Sequence, residues 1–418
     1  MLDFVMFIFL VLLVLLYSVL GYISFDLAAF AIFVLVIAFL VYRDRKKVKL
    51  EGIVFIRRTK KGRKFIDKIA KRNPWFLKKL SVIGIAVAIP ALVFVSFFLF
   101  FNSFNIIQGG EESGVKFLLP GPVSTPVIAP GVFIVPWWIW IIGVMSVMIP
   151  HEMSHGIVCR LEKVRIKAVG WLLLLFIPGA FVEPDEKQLR KAKRSTKLKV
   201  YAAGSFANIM LAFSVLIIFS ILFGILFQPA GLYFQTVENS SANLSGLSGS
   251  IIRIDDRSIS SVEDLSDVLS EHRPGDTVSV ETAKNNFILP TLHLSGNVES
   301  LVPRLMVVTG FNETEEEDVI LGEKEEKAFL GVTNLVPTYR TFVDIRLYSI
   351  ILIVFIWIYI FNLGIGLINL LPIKPLDGGL VFEEIAGKFT KNTQKIVRTV
   401  SGIMLFLLLF NIFGPIFF

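Results

Sequence analysis

The chain has 418 residues, of which 54% are hydrophobic and 18% charged, and its formal net charge is +8. Its apolar stretches are long enough to cross a bilayer, which excludes a wholly soluble protein. The positive charge does not indicate a nucleic-acid partner, because it is concentrated in one segment. Residues 43–79 hold 16 Lys and Arg against 3 Asp and Glu, whereas residues 229–344 hold 8 against 19. Since basic loops stay in the cytoplasm, the asymmetry predicts a cytoplasmic 43–79 and an extracytoplasmic 229–344.

The first predicted domain, residues 1–133, begins with a long apolar stretch at 4–42 that is interrupted near Gly21. At about 1.5 Å per helical residue this stretch would measure about 60 Å, twice the thickness of the hydrocarbon core. It therefore predicts a hairpin of two helices, about 4–20 and 27–42, with one long tilted or broken helix as the alternative. A third span is expected at 80–102, followed by an outer loop at 103–133 that is rich in Gly and Pro.

The second predicted domain, residues 134–228, contains the most informative motif. Residues 149–156 read Ile-Pro-His-Glu-Met-Ser-His-Gly, near the end of a span predicted at about 134–159. Histidine and glutamate are costly inside hydrocarbon, so their presence indicates a functional site. His151 precedes Arg160 by nine residues, which places it roughly 13 Å below the helix end that should face the cytoplasm.

The segment that follows is apolar but is too short to span as a helix. Residues 165–185 are interrupted by Pro178-Gly179 and predict a re-entrant, β-like loop, which is tolerated at membrane depth only against protein or a wet cavity. A span at about 200–228 opens with small residues that permit close helix packing. Asn208 within it is expected to form an ordinary interhelical hydrogen bond.

Residues 229–344 predict a soluble domain. A strand-like run at 251–256, a short amphipathic helix near 262–265 and a second strand after Pro-Gly-Asp resemble a PDZ domain. The resemblance would make Gly231-Leu232-Tyr233-Phe234 the loop that captures peptide C-termini. Residues 295–328 look like an insertion, whose acidic run Glu313–Asp318 is expected to be a solvated loop. Peptide binding and simple size filtering remain alternative roles for the domain.

The last predicted domain, residues 345–418, contains spans at about 345–371 and 398–417. The whole chain is thus expected to be a polytopic α-helical membrane protein. It would have about seven spans, one re-entrant loop and an inserted PDZ-like α+β domain.

A metal site is the main chemical prediction. His151 and His155 are four residues apart, so on a helix both imidazoles can reach one zinc ion. Glu152 is placed to take a proton from the attacking water. The alternative is that both histidines only pack between helices. Catalytic zinc usually has three protein ligands.

The third ligand must be found elsewhere in the chain. The remaining histidines, His272 and His293, fall in the outer domain, and Cys159, the single cysteine, lies near the helix end. Asp377 is the best candidate, because two prolines and Gly378-Gly379 turn the chain at the predicted cytoplasmic side. Its alternative role is to cap the next helix.

The motifs His-Glu-Met-Ser-His at 151–155 and Asn-Leu-Leu-Pro-Ile-Lys-Pro-Leu-Asp-Gly-Gly at 369–379 resemble the site-2 protease family of intramembrane zinc metalloproteases. Residues 178–185 and 203–208 are also similar to that family, and the likeness covers about 134–230 and 345–380. It implies one zinc ion per chain, bound by His151, His155 and Asp377, with Glu152 as general acid and base. Lys374 and Ser205 depart from the family pattern without touching its chemistry.

The resemblance also implies a substrate class and a location. Asn369 would lie near the substrate backbone, and the substrates would be transmembrane segments of membrane-anchored proteins. The protein would be a multi-pass protein of the cell membrane, with its site toward the cytoplasm. A prenyl-protein protease is disfavoured by the Leu-Asp-Gly-Gly context. The alternative of another class is a catalytically silent scaffold that binds peptides through the PDZ-like domain.

Overall fold

The structure is a computed structural model. It describes residues 2–59, 61–109, 115–123, 127–129, 131–174, 177–284, 306–307, 310–341 and 345–417. The chain divides into two compact units. The first comprises Met1–Leu216 and Val354–Phe418, and the second comprises Ile217–His293 and Asn297–Ile353.

Helices account for most of the first unit. The helices of the described residues are α1 (Leu2–Val19), α2 (Phe25–Arg43), α3 (Lys61–Arg72), α4 (Pro74–Ile107), α5 (Trp137–Leu161), α6 (Glu186–Lys191), α7 (Arg194–Leu226), α8 (Ser241–Leu244), α9 (Val262–Ser270), α10 (Ile345–Ile368), α11 (Asp377–Phe389) and α12 (Thr393–Phe413). Cap residues set several of the starts. Asn73, for example, accepts a 3.2 Å bond from the amide of Phe76 and is followed by proline at the first helical position.

Six helices of the described ranges are long and apolar enough to cross a membrane, namely α2, α4, α5, α7, α10 and α12. The apolar part of α1, Phe4–Val19, is shorter. The predicted N-terminal hairpin is present, because the chain turns between α1 and α2 and Phe7 stacks on Phe39 with ring centroids 4.5 Å apart. The alternative of one long helix is therefore wrong.

In the described ranges, the strands form three sheets and one small hairpin. The strands are β1 (Lys49–Glu51), β2 (Val54–Thr59), β3 (Phe117–Gly121), β4 (Val127–Ala129), β5 (Val132–Pro136), β6 (Ile166–Leu174), β7 (Ile177–Pro184), β8 (Phe227–Thr236), β9 (Ser250–Ile254), β10 (Arg257–Ser258), β11 (Thr277–Lys284), β12 (Met306–Val307), β13 (Gly310–Ile320), β14 (Gly322–Lys324), β15 (Lys327–Phe329) and β16 (Val332–Thr341). In the first unit, one sheet has the order β1-β2-β6-β7 and another the order β3-β5-β4.

The predicted β-like loop at 165–185 is the antiparallel hairpin of β6 and β7. Its pairing extends beyond the hairpin, because β2 from the N-terminal region pairs with the other side of β6. The segment 103–133, which the sequence predicts to be an outer loop, contains a helix end and a small sheet. Helix α4 continues to Ile107, and β3, β4 and β5 form a small sheet that accepts a 2.9 Å bond from the Trp140 indole at the Leu118 carbonyl.

The second unit contains the predicted soluble domain, built on a sheet ordered β12-β16-β8-β9-β11-β13. The two strands and the short helix that suggested a PDZ-like domain are present as β9, α9 and β11. Helix α9 begins with a capping box, in which Ser261 and Asp264 each satisfy the other's backbone amide. Hydrogen bonds from Ser260 hold the pKa of Asp264 below its usual value.

Two expectations for this unit are wrong. Gly231-Leu232-Tyr233-Phe234 is not an open loop but part of β8, with β16 on one side and β9 on the other. Its backbone therefore lies inside the sheet and cannot add a peptide strand. The acidic run Glu313–Asp318 is not a loop either, because it forms the edge strand β13 paired with β11. Charged side chains on an edge strand discourage pairing with other chains, which explains the composition.

Candidate metal centre

Helix α5 carries both histidines on one face. His151 is buried, at 8% exposure, and His155 is half-buried. The four-residue spacing places the Nε2 atoms of the two rings 3.2 Å apart. The rings are close to perpendicular, so each presents Nε2 to the same small space.

Asp377 reaches the same space from a distant part of the chain. It is the first residue of α11, after the Pro-rich turn that follows α10. The turn is tight, because the amide of Gly378 donates a 2.8 Å bond to the carbonyl of Asn369. A Cβ on Gly379 would lie 2.6 Å from the carbonyl oxygen of Ile373, so a larger residue does not fit there.

The Asp377 carboxylate points at the histidines and does not cap its helix. Its Oδ2 is 3.3 Å from Nε2 of His151 and 3.4 Å from Nε2 of His155. Leu376 occupies the N-cap position, where no side chain caps the helix by a hydrogen bond. The capping alternative is therefore wrong for this carboxylate.

The three ligand atoms fit a zinc ion. Zinc bonds of about 2.0 to 2.1 Å at tetrahedral angles hold ligand atoms about 3.3 to 3.4 Å apart. The observed separations of 3.2, 3.3 and 3.4 Å match that spacing. Two imidazoles and one carboxylate are also a donor set that suits zinc with an open position for water or substrate. In the part of the chain that the structure describes, this is the one such group of three.

Helix α7 provides a hydrogen-bond partner for each of the three candidate ligands. Nδ1 of His155 lies 2.7 Å from the carbonyl oxygen of Val200, which favours a proton on Nδ1 and leaves Nε2 free to bind metal. The hydroxyl of Ser205 donates a 3.1 Å bond to Oδ2 of Asp377, so the expectation that Ser205 does not touch the chemistry is wrong. Asn208 is fully buried, and its Nδ2 lies 3.1 Å from Nδ1 of His151.

The side-chain oxygen of Asn208 is in an unusual environment for a polar atom. This atom, Oδ1, is buried and has no hydrogen-bond partner among the residues that the structure describes. If the amide turns over, Oδ1 accepts the Nδ1 proton of His151, and Nε2 of that ring is then free for a metal. The expected interhelical hydrogen bond is therefore present, and its partner is a candidate ligand.

Replacing Asn208 by leucine, which has a similar size but no polar atoms, should weaken zinc binding about 10- to 100-fold. The ring of His151 would lose the group that orients it. Zinc competition titration of the purified protein measures the change. Asn411→Leu is the matched control, since that buried amide lies on α12 and donates to the Leu99 carbonyl and the Ser103 hydroxyl. Equal zinc affinity in Asn208→Leu and wild type would contradict the assignment.

Gly204 has no side chain at the place where the two histidine rings lie. A Cβ at this position would lie 2.6 Å from Nε2 of His151 and would also collide with Nε2 of His155. Sequence reasoning interpreted the small residues of this helix only as packing residues. Their contact with the histidines depends on how α5 and α7 meet, which no local pattern encodes.

Glu152 lies between the metal centre and the hairpin. Its Oε2 accepts a 2.8 Å bond from the amide of Val182 in β7. The carboxylate is therefore held at the hairpin edge, one residue along α5 from His151.

The other candidates are placed as follows. Cys159 is buried in an apolar cluster with Val164 and Ile166 and does not belong to the metal group. Nδ1 of His272 contacts the carbonyl of Val268 in the second unit. His293 lies outside the described residues. Asn369 is half-buried at the turn that delivers Asp377, where its carbonyl accepts the Gly378 bond.

Comparison with known proteins assigns a family to this geometry. The profile of peptidase family M50 matches residues 139–410, which include both histidines, Glu152 and Asp377. The chain is also similar to an uncharacterized protein of Methanocaldococcus jannaschii, with 25% identity over 378 residues and 88% of each chain covered. The M50 match covers well over half of the sequence. The chain therefore belongs to peptidase family M50, the site-2 protease family of zinc-dependent membrane metalloproteases, and is a multi-pass membrane protein with an additional β-sheet unit.

Proposed function

We propose that the protein is an intramembrane zinc metalloendopeptidase that cleaves transmembrane segments of membrane-anchored proteins. The observation that carries this proposal is the convergence of His151, His155 and Asp377 within 3.4 Å beside Glu152. Two of these ligands and the glutamate lie on α5, a helix apolar enough to cross a membrane. A structural packing role does not account for a carboxylate that converges on both Nε2 atoms.

The residues have distinct roles in this proposal. His151, His155 and Asp377 would hold one zinc ion, which acts as a Lewis acid toward the scissile carbonyl and makes water a better nucleophile. Glu152 takes the proton of that water on its carboxylate and delivers it to the leaving amine. The bond from the Val182 amide to Oε2 orients the carboxylate, and the other oxygen is proposed to take the proton.

The hairpin and the Asn369 turn are proposed to hold the substrate. A transmembrane helix hides its peptide bonds in internal hydrogen bonds, so a segment must unwind before it is cut. Extended backbone can bind beside a strand edge. Strand β7 pairs with β6 on one side, while its Val182 amide faces Glu152. The edge of β7 near Glu152 is thus suited to bind an extended substrate segment, and Asn369 is proposed to contact that segment from the turn.

The proposed arrangement in the cell membrane follows from charge and length. Seven spans, counting α1, place the basic residues 43–79 and the metal centre on the cytoplasmic side. The acidic residues 229–344 then lie outside. We further propose the four domains predicted from the sequence, bounded at 133, 228 and 344, with two membrane parts of the catalytic core flanking the outer domain.

The PDZ-like domain is proposed to exclude substrates with large intact outer domains. Its suggested peptide loop, Gly231–Phe234, is a paired strand, so peptide capture there has no support. Capture of peptide C-termini elsewhere on the domain is the alternative role. The alternative function, a silent peptide-binding scaffold, has less support than proteolysis. It loses its suggested peptide loop, and it leaves the metal centre unexplained.

The test is cleavage of a single-pass reporter by the purified protein in lipid vesicles. The reporter carries a short outer segment, as after an earlier trimming cut. Wild-type protein should cut within the transmembrane segment, a zinc chelator should abolish cutting, and added zinc should restore it. Cleavage that persists after zinc is removed would refute the proposal. A scaffold would bind the reporter without cutting it.

A further inference from the structure

A segment outside the M50 match packs directly on α5. This bracing segment, residues 49–59 and 61–72, comprises β1, β2 and α3. We propose that it is a positioning element that fixes the β6–β7 hairpin against α5 and so sets where the substrate strand lies. The inference rests on the proteolytic function proposed above, and it gives a role to the N-terminal region that the sequence left unassigned.

The strand part of the brace extends the hairpin to a four-stranded sheet. Strand β2 pairs with β6 from Val54 opposite Leu174 to Thr59 opposite Val169. A hairpin of two strands is marginal by itself, whereas four strands hold their shape. Strands β2 and β6 lie very close at Gly170, where a Cβ would collide with the carbonyl oxygen of Arg57.

The helix part of the brace meets α5 next to a metal ligand. Ile66 of α3 is 1% exposed and belongs to the same apolar cluster as Val200, whose carbonyl contacts His155. A Cβ on Gly156 would lie 2.7 Å from Cδ1 of Ile66 and 3.3 Å from Cγ1 of Val182. Gly156 is therefore the point where α3, α5 and β7 come together, one residue after His155.

An ion pair also connects α3 to α5. Arg160, at the end of α5, donates to both oxygens of Asp67, with 3.1 Å between Nη2 and Oδ2. The two side chains are only 28% and 33% exposed. Two parallel bonds between a guanidinium and a carboxylate fix orientation as well as distance.

The position of the hairpin matters because β7 touches the chemistry. The Val182 amide that orients Glu152 also lies on the edge proposed to hold substrate. Misplacing a reacting group by about 1 Å can cost about 100-fold in rate. A brace that pairs with β6 and packs in the same apolar cluster as Val182 of β7 can therefore control the rate without touching substrate.

Charge reversal of the ion pair tests the inference in the full chain in lipid vesicles. Arg160→Asp and Asp67→Arg should each lower kcat on the reporter on the order of 10- to 100-fold. Zinc content should be unchanged, and amide exchange in β6 and β7 should be faster than in wild type. The double variant, with the charges swapped, should recover most of the rate and the protection. Arg190→Asp is the control, because Arg190 is 80% exposed and its ion pair, with Glu186, lies within α6.

Asp67→Asn provides the same test in a milder form if a reversed charge prevents folding. Wild-type kcat and wild-type exchange in either single variant would overturn the inference. So would a rate loss that comes with loss of zinc, or one that the swapped pair does not rescue, since both indicate general damage. A wild-type protein that cuts no reporter refutes the proposed function instead, and unchanged exchange in Arg160→Asp would still refute the brace.

Discussion

Glu152→Gln should abolish reporter cleavage while the protein still folds and binds zinc. Glutamine has nearly the same shape and can still accept the bond from the Val182 amide, but it cannot accept the proton of the attacking water. Loss of a general acid and base costs about 10²- to 10⁴-fold in rate. Single-turnover cleavage in vesicles, together with zinc per chain by mass spectrometry, measures both parts of the prediction.

Glu162→Gln is the matched control for this substitution. Glu162 follows the end of α5 and pairs with Lys199 at 2.7 Å, and neither residue belongs to the metal group. The control should cut the reporter at close to the wild-type rate. Glu152→Gln protein that cleaves as fast as this control would remove Glu152 from the mechanism.

Gly204→Ala should eliminate tight zinc binding without unfolding the protein. One added methyl group would collide with Nε2 of both histidines, the two atoms that must face the metal. Substitutions outside the ligand shell cost about 10- to 100-fold in metal affinity, and displacing two ligands should exceed that loss. Alanine stabilises a helix interior by roughly 0.5–1 kcal/mol relative to glycine, so a weaker helix would not explain the result.

Gly224→Ala isolates this steric effect. Gly224 lies on the same helix, and a Cβ built there would meet no neighbouring atom of the described residues within 4 Å. Zinc titration of the two variants should therefore separate them clearly. If Gly204→Ala bound zinc as tightly as Gly224→Ala, the geometry assigned to the ligands would be wrong.

Much of the catalytic geometry follows from local rules. The spacing of His151 and His155 fixes a shared helix face, and the small number of histidines leaves a carboxylate as the third ligand. Asp377 could be selected because its prolines and glycines end a span near the same membrane surface. The close approach of its Oδ2 to both imidazoles agrees with that reasoning.

The supporting residues could not be found in this way. Gly204 and Asn208 matter because α7 crosses α5 at the histidines, which depends on tertiary packing. The pairing of β2 with β6 joins segments more than a hundred residues apart, and neither strand encodes its partner. In the second unit, the acidic run of β13 and the apolar Gly231–Phe234 are explained by their neighbours in the sheet.

The zinc content of the purified wild-type chain is the most direct test of the central claim. The convergence of two imidazoles and the Asp377 carboxylate predicts one zinc ion per chain, retained through purification and removed only by a strong chelator. A folded protein that contains no zinc, takes up none when zinc is added and still cuts its reporter would contradict the account.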